Sequence, residues 1–356
     1  MSEKVGIINA GAWGTAIGKV LAEKGCEVEM WDYMAEVVDD INTNHTNSQY
    51  LLGVRLPETL KATTDIARAA SGKEFLIMAT PSLFIMNMVK QLAQIPDIAE
   101  GKTAIGVLTK GFIAGPSGPR LILPSMEDYL PGFYRDNLVY ISGPSHAEEV
   151  AQGKLTGLIS ASKNGKNSIR FRELLSSHPL MVFSSLDTIG VQTCGAVKNV
   201  IAVAFGILDA LMEISPEIGD NTESLLLAAG LNEIMSIGTA LGSTYPETFT
   251  SIAGVGDLDV TCRSKHGRNR RFGREIVKDR ILTRFKDLDD LITNWHQLGY
   301  LSEGAMATQF VGQLAENYKL KLPICQTVHA ILNREIDPLR AISTLLANMT
   351  GSAGTL

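Results

Sequence analysis

Cysteine is scarce in this sequence. The four residues Cys26, Cys194, Cys262 and Cys325 lie far apart and form no C-x-x-C pair. That excludes a disulfide framework or a zinc ribbon and fits a reducing, cytoplasmic setting. Basic charge is also short: 32 Lys+Arg against 38 Asp+Glu give a net charge of -6. Nucleic acid and anionic membranes therefore find no general electrostatic footing, and any anion site must be local. The longest apolar stretch, Val200 to Leu208, is closed by Asn199 and Asp209 and falls short of the roughly 20 residues a bilayer requires. The opening Met1-Ser2-Glu3-Lys4 lacks the basic start and extended apolar core of a secretory signal. There is no internal repeat and no low-complexity tract, and the basic cluster at 268–271 lacks the interleaved aromatics of a nucleic-acid patch.

What is present points to a folded chain of two domains. Hydrophobic residues make up 45% and charged residues 20% of 356 positions, and single cores stop growing near roughly 250–300 residues. The first half alternates short β-branched runs with helical periods, the pattern of a parallel sheet covered by helices. Strands are predicted near 4–8, 27–31, 75–79, 104–108, 138–141, 155–160 and 180–184. From about Asp187 the chain turns to alanine- and leucine-rich helical stretches, at 187–213, 220–242, 303–319, 323–333 and 337–349. The expected fold is α/β plus all-α: a Rossmann-like dinucleotide-binding domain at 1–188 and a helical substrate-binding domain at 189–356. No flexible linker separates them, so they are expected to share a face with the ligand site in the cleft.

The strand at 4–8 runs into Asn9-Ala10-Gly11-Ala12-Trp13-Gly14, then a helical period, then a second strand closed by Asp32. This is the layout of a dinucleotide-binding βαβ unit, in which Gly11 admits the pyrophosphate and Gly14 lets helix pack on strand. Asn9 stands where the first glycine is expected, and asparagine is a side chain that tolerates left-handed backbone. Alone, such a loop is equally an ordinary strand-to-helix turn; its position after the first strand favours the nucleotide. Asp32, 18 residues after Gly14, can accept from the adenosine ribose and repel a 2′-phosphate, which favours NAD with NADP still possible. Its alternative role is to cap the next helix.

Ligands of open parallel sheets sit beyond the carboxyl ends of the strands. Gathered there are Ala79-Thr80-Pro81-Ser82, Thr109-Lys110-Gly111 and Ser142-Gly143-Pro144-Ser145-His146-Ala147. Lys110 offers a cation to a phosphate or carboxylate, or is a solvated surface lysine; His146 is a secondary general-acid candidate. In the helical half, Lys198 projects from an apolar stripe, with Cys194 and Gly195 one turn before and Ile201 and Ala202 one turn after. Such a lysine is paired, catalytic or snorkelling to the helix edge. Asp257, flanked by Gly254 and Gly256, can pair with a buried cation, and Gly267-Arg268-Asn269 offers a planar fork plus an amide to a phosphate.

The strings GAWGTA, NSQYLLGVRLP, ATPS, LTKGF, SGPSHAEEV, GAVKNVIAVAFGI, GVGDL, GRNRRFG and SEGAMAT, together and in order, resemble the bacterial NAD(P)-dependent glycerol-3-phosphate dehydrogenases nearly end to end. The resemblance implies reversible hydride transfer between a nicotinamide and dihydroxyacetone phosphate, supplying glycerol 3-phosphate for phospholipid synthesis. It implies that Lys198 handles the proton with Asp257 orienting it, and that no metal takes part. Asn199, Asp257 and Thr261 then line the substrate, Gly267, Arg268 and Asn269 hold its phosphate, and Lys110, Gly143 and Ser145 complete the pocket. Ala12, Trp13, Lys110, Ala147, Arg268, Leu301 and Glu303 match cofactor-contacting positions, with Pro81 at the same edge. A homodimer without nucleic-acid or membrane partners is expected. The chain departs from the family pattern at Asn9, Ala12 and Asp32, lacks an arginine before Gly230, and is longer than usual over 276–300. Two rivals remain: a reductase of another small phosphorylated or phosphonylated carbonyl compound, and a non-catalytic dinucleotide sensor.

Overall fold

The computed structural model describes residues 2–264, 267–300, 302–341 and 345. The chain divides into two compact units, one formed by Met1–Ile113 and Arg120–Gln192, the other by Ala114–Pro119 and Thr193–Leu356.

Among the described residues ten strands form, all before residue 186: β1 (Lys4–Ile8), β2 (Glu27–Trp31), β3 (Lys61–Thr63), β4 (Phe75–Met78), β5 (Ala104–Val107), β6 (Phe112–Gly115), β7 (Gly118–Leu121), β8 (Val139–Ser142), β9 (Thr156–Ala161) and β10 (Leu180–Ser185). Eight of them make one sheet in the order β10-β9-β8-β5-β4-β1-β2-β3, and β6 and β7 pair separately. All four residues of β4 are buried, as are four of the five in β1, which is why these strands read as unbroken apolar runs. In register, Ile7 faces Met30 on one side and Ile77 on the other. The chain winds outward from β1 through β2 to β3, then returns to β4 and winds the other way. The carboxyl ends of β1 and β4 therefore flank the switch point where doubly wound sheets bind ligands.

Three strands, β3, β6 and β7, go beyond those predicted. The sheet also departs from uniform parallel pairing: β9 runs antiparallel to β8, with Ile141 opposite Ser160, and β10 then lies parallel to β9. Local periodicity cannot carry strand direction, because side chains alternate faces in either sense.

The second unit is helical, and no strand occurs after Ser185 among the described residues. The helix Thr188–Met212 passes through the boundary between the units. By length and composition it could cross a membrane, but 89% of its apolar window is buried inside the protein. It is longer than the nine-residue stretch prominent in the sequence because Lys198 and Asn199 are themselves buried within it. The helix Arg268–Lys278 packs on it backbone to backbone: a Cβ on Gly206 would lie 2.0 Å from the Arg270 carbonyl oxygen, and one on Gly273 would lie 2.1 Å from that of Val203. Asp220–Ala240, Glu303–Tyr318 and Pro323–Leu332 are the other long helices. Of the helix predicted at 337–349, residues 342–344 and 346–349 lie outside the described residues; Pro338–Arg340 forms a 3-10 turn.

Candidate active site

The first unit presents the glycine loop at the end of β1. Asn9 adopts φ 87, the left-handed conformation that its place in the turn demands, and its N–H donates to the Trp31 carbonyl at 2.9 Å. Asp32 is fully buried. Its Oδ2 accepts from the Ala10 N–H at 3.0 Å and from Asn9 Nδ2 at 3.1 Å, while Oδ1 accepts from the Met34 N–H at 3.0 Å. Burial holds this carboxyl above its ordinary range, against the pull of the Met34 and Ala10 N–H groups. The Ala10 carbonyl accepts from Thr15 Oγ1 at 3.0 Å and from Asn47 Nδ2 at 2.7 Å. A Cβ on Gly14 would fall 2.3 Å from the Asn9 carbonyl oxygen, so only glycine lets the helix start this close to the strand.

The helix Ala12–Glu23 begins at Gly11 with no side-chain cap and no acidic residue in its first turn. Ala12 and Trp13 are its first two residues. Unfilled N–H groups and the positive helix end suit a pyrophosphate, so the residues present fit a dinucleotide.

Around the same edge, Pro81 precedes the helix Ser82–Leu92, and Thr109 Oγ1 donates to the Thr80 carbonyl at 2.6 Å. Lys110 Nζ donates to the Gly143 carbonyl at 3.3 Å and to Ser145 Oγ at 3.2 Å, so these three predicted residues from the ends of β5 and β8 do come together. His146 and Ala147 open the short helix Ala147–Ala151, with His146 giving no side-chain cap.

In the second unit, Lys198 is 6% exposed and forms an ion pair with Asp257, which is 0% exposed. Lys198 Nζ also donates to Thr261 Oγ1 at 2.8 Å, and that hydroxyl donates to the Asp257 carbonyl at 2.6 Å. Asp257 opens the helix Asp257–Arg263 directly after a π-helical turn, Ile252–Gly256, in which the Ala253 N–H donates to Ser251 Oγ. Next to Lys198, the buried amide nitrogen Asn199 Nδ2 has no hydrogen-bond partner in the protein, an unusual state for a buried donor. Burial pushes the Cys262 thiol up, with Lys198 opposing, so it stays protonated and inert.

Gly267, Arg268 and Asn269 begin the helix Arg268–Lys278, again with no side-chain cap and no first-turn acid. Arg268 is exposed. Asn269 Oδ1 accepts from the Gly304 N–H at 2.9 Å and from Ser302 Oγ at 3.4 Å, which leaves its NH2 group as the donor. Glu303 is the first residue of the adjoining helix Glu303–Tyr318; Leu301 lies outside the described residues.

Three braces escaped the residue-level reading: Thr15, Asn47 and Ser302. Asn47 is fully buried, yet nothing local distinguishes it from a loop asparagine. Ser302 carried a signal, since its side chain caps Ala305 three residues on, the spacing of an N-cap.

A switch-point glycine loop with an open helix N-terminus, and a buried ammonium paired with a carboxylate, define a nicotinamide-dependent oxidoreductase. The comparisons narrow this class. Residues 4–168 match the model of the NAD-dependent glycerol-3-phosphate dehydrogenase N-terminus, and residues 187–343 that of its C-terminus. The chain is 53% identical to glycerol-3-phosphate dehydrogenase [NAD(P)+] of Treponema denticola, over 98% of this chain and 100% of that one. It is 36% identical to the Bacillus subtilis protein of the same name, over 97% and 94%. Among solved structures, glycerol-3-phosphate dehydrogenase from Coxiella burnetii superposes with a TM-score of 0.82 at 33% identity, covering 97% of this chain and 99% of that one. The chain belongs to the NAD-dependent glycerol-3-phosphate dehydrogenase family.

Proposed function

We propose that this chain interconverts dihydroxyacetone phosphate and glycerol 3-phosphate, with Lys198 as the group that gives and takes the proton at the substrate oxygen. The observation that carries this reading is the buried trio of Lys198, Asp257 and Thr261. An ammonium kept from water by an apolar helix costs too much to bury without a purpose or a partner. Asp257 supplies the partner and keeps Lys198 charged; Thr261 fixes its direction, because the hydroxyl's own proton is committed to the Asp257 carbonyl.

When bound, the nicotinamide supplies or accepts the hydride. This chain's residues do the rest. As charge grows on the substrate oxygen, the Lys198 ammonium stabilises it and then delivers the proton. The unpartnered Asn199 amide is a ready second donor to a substrate oxygen. Arg268 and the Asn269 NH2, on an uncapped helix N-terminus, suit a dianionic phosphate remote from the reacting carbon, so its binding energy goes into positioning. Gly267 offers backbone at the same turn. In the first unit, Gly11, Ala12, Trp13, Gly14, Pro81 and Ala147 would hold the dinucleotide, and Lys110 with Gly143 and Ser145 presents a cation and a hydroxyl at the same sheet edge. A net charge of -6 and burial of the long apolar helix support work in the cytoplasm, apart from nucleic acid and membranes. The test is steady-state turnover of dihydroxyacetone phosphate with NADH and NADPH in parallel: turnover with either supports the reading, and none with both rejects it.

A further inference from the structure

Asp32 closes β2 at the place where a carboxylate is expected to meet the ribose of a dinucleotide, and it is fully buried. Both of its oxygens are engaged, Oδ2 by two donors and Oδ1 by one. Oδ2 receives the Ala10 N–H and the Asn9 side-chain amide, and Oδ1 receives the Met34 N–H. An ionised carboxylate stays buried only when its lone pairs are met by good donors, and turning it toward a ribose hydroxyl would strand two main-chain N–H groups.

The same contacts answer why Asn9 can replace glycine. At φ 87 a side chain normally strains the backbone, and the bond from Asn9 Nδ2 to Asp32 offsets that. The Ala10 peptide is then clamped on both sides: its N–H by Asp32, its carbonyl by Thr15 and Asn47. The next residue, Gly11, is the one from which the dinucleotide-facing helix starts.

We infer that Asp32 is a positioning residue that, through Asn9 and Ala10, sets the conformation of the loop that receives the dinucleotide, and that it does not choose between NAD and NADP. This rests on the reading of the loop as the dinucleotide site. Asn9 and Asp32 form one unit: a glycine at position 9 needs less help from the carboxylate, and an asparagine there depends on it.

Two measurements on the full chain test this, one free of any cofactor. Amide hydrogen exchange across residues 9–12 is expected to speed up at least 10-fold in Asp32→Asn, which keeps the shape but sets an NH2 group against a main-chain N–H, and in Asp32→Ala; adding Asn9→Gly to Asp32→Ala should recover part of the loss. Unchanged exchange overturns the brace. In parallel, Asp32→Asn should raise KM for NADH and NADPH by a similar factor, roughly 10-fold, leaving their ratio unchanged. A shift of the ratio toward NADPH by 10-fold or more means that Asp32 reads the ribose and overturns the inference. If the wild-type chain turned over neither nucleotide, the proposed function would fall, while exchange in the loop would still decide whether Asp32 braces it.

Discussion

Thr261 accepts a hydrogen bond from Lys198 at 2.8 Å and spends its own proton on the Asp257 carbonyl at 2.6 Å. The lysine thus meets an acceptor that cannot turn into a donor. Lys198→Ala is expected to reduce turnover by roughly 10²–10⁴-fold and, by leaving the buried Asp257 without its ion-pair partner, to lower the melting temperature as well. Thr261→Val, which keeps the volume, should cost roughly 10-fold in kcat. Normal kcat in purified Lys198→Ala, followed by absorbance at the nicotinamide band, would contradict the assignment.

Arg268 stands at an uncapped helix start. Arg268→Ala should raise KM for dihydroxyacetone phosphate by roughly 10- to 100-fold and leave the slow reduction of unphosphorylated dihydroxyacetone nearly unchanged. Equal losses on both ketones would show that the guanidinium does not read the phosphate.

Gly273 lies against Val203 and Gly206 with no room for a methyl group. Gly273→Ala should destabilise the protein by about 1–3 kcal/mol or more, seen as a lower melting temperature, and should also slow turnover, because the same crossing separates Lys198 from Arg268. Gly132→Ala, at a position with open space, is the control and should melt near the wild type. Equal melting of Gly273→Ala and wild type would remove the close crossing.

Glu233 is buried and accepts from the N–H groups of Ile324 and Cys325 at the start of the helix Pro323–Leu332. Burial pushes its carboxyl from 4.5 up to about 7. Because the folded form holds the proton more tightly than the unfolded chain, stability falls as pH rises from about 4.5 to about 7 and then levels off. The slope amounts to about 3 kcal/mol across that window. Glu233→Gln should remove it, so that the melting temperatures of variant and wild type diverge with rising pH. Parallel melting curves at all pH values would show that Glu233 does not titrate there.

Much of this was legible before any coordinates. The strands β1 and β4 announce themselves because burial on both faces makes them unbroken apolar runs, and β2 because Val28 and Met30 alternate with Glu27 and Glu29. Lys198 is visible because helical spacing sets it in an apolar stripe, and its burial follows from that spacing. Other features are written elsewhere. β3 has three residues, too few to show a period. The β6–β7 pair carries a turn signal in Gly115-Pro116-Ser117-Gly118, but its strands have four residues each, too few to show a period. The reversal of β9 leaves no local mark. Asp32 reads in sequence as a residue for a ribose, since its donors at Asn9 and Ala10 reach it only once β1 and β2 have paired.

The excursion at 114–119 has a practical outcome. The helical unit is assembled from two pieces of chain, Ala114–Pro119 and everything from Thr193 onward, and Gly118 sits close enough to Asn317 that an added methyl would collide with its amide. A fragment starting at residue 193 would be born without six of its own residues, so dissecting this enzyme into halves calls for a circularly permuted or grafted gene rather than a simple truncation.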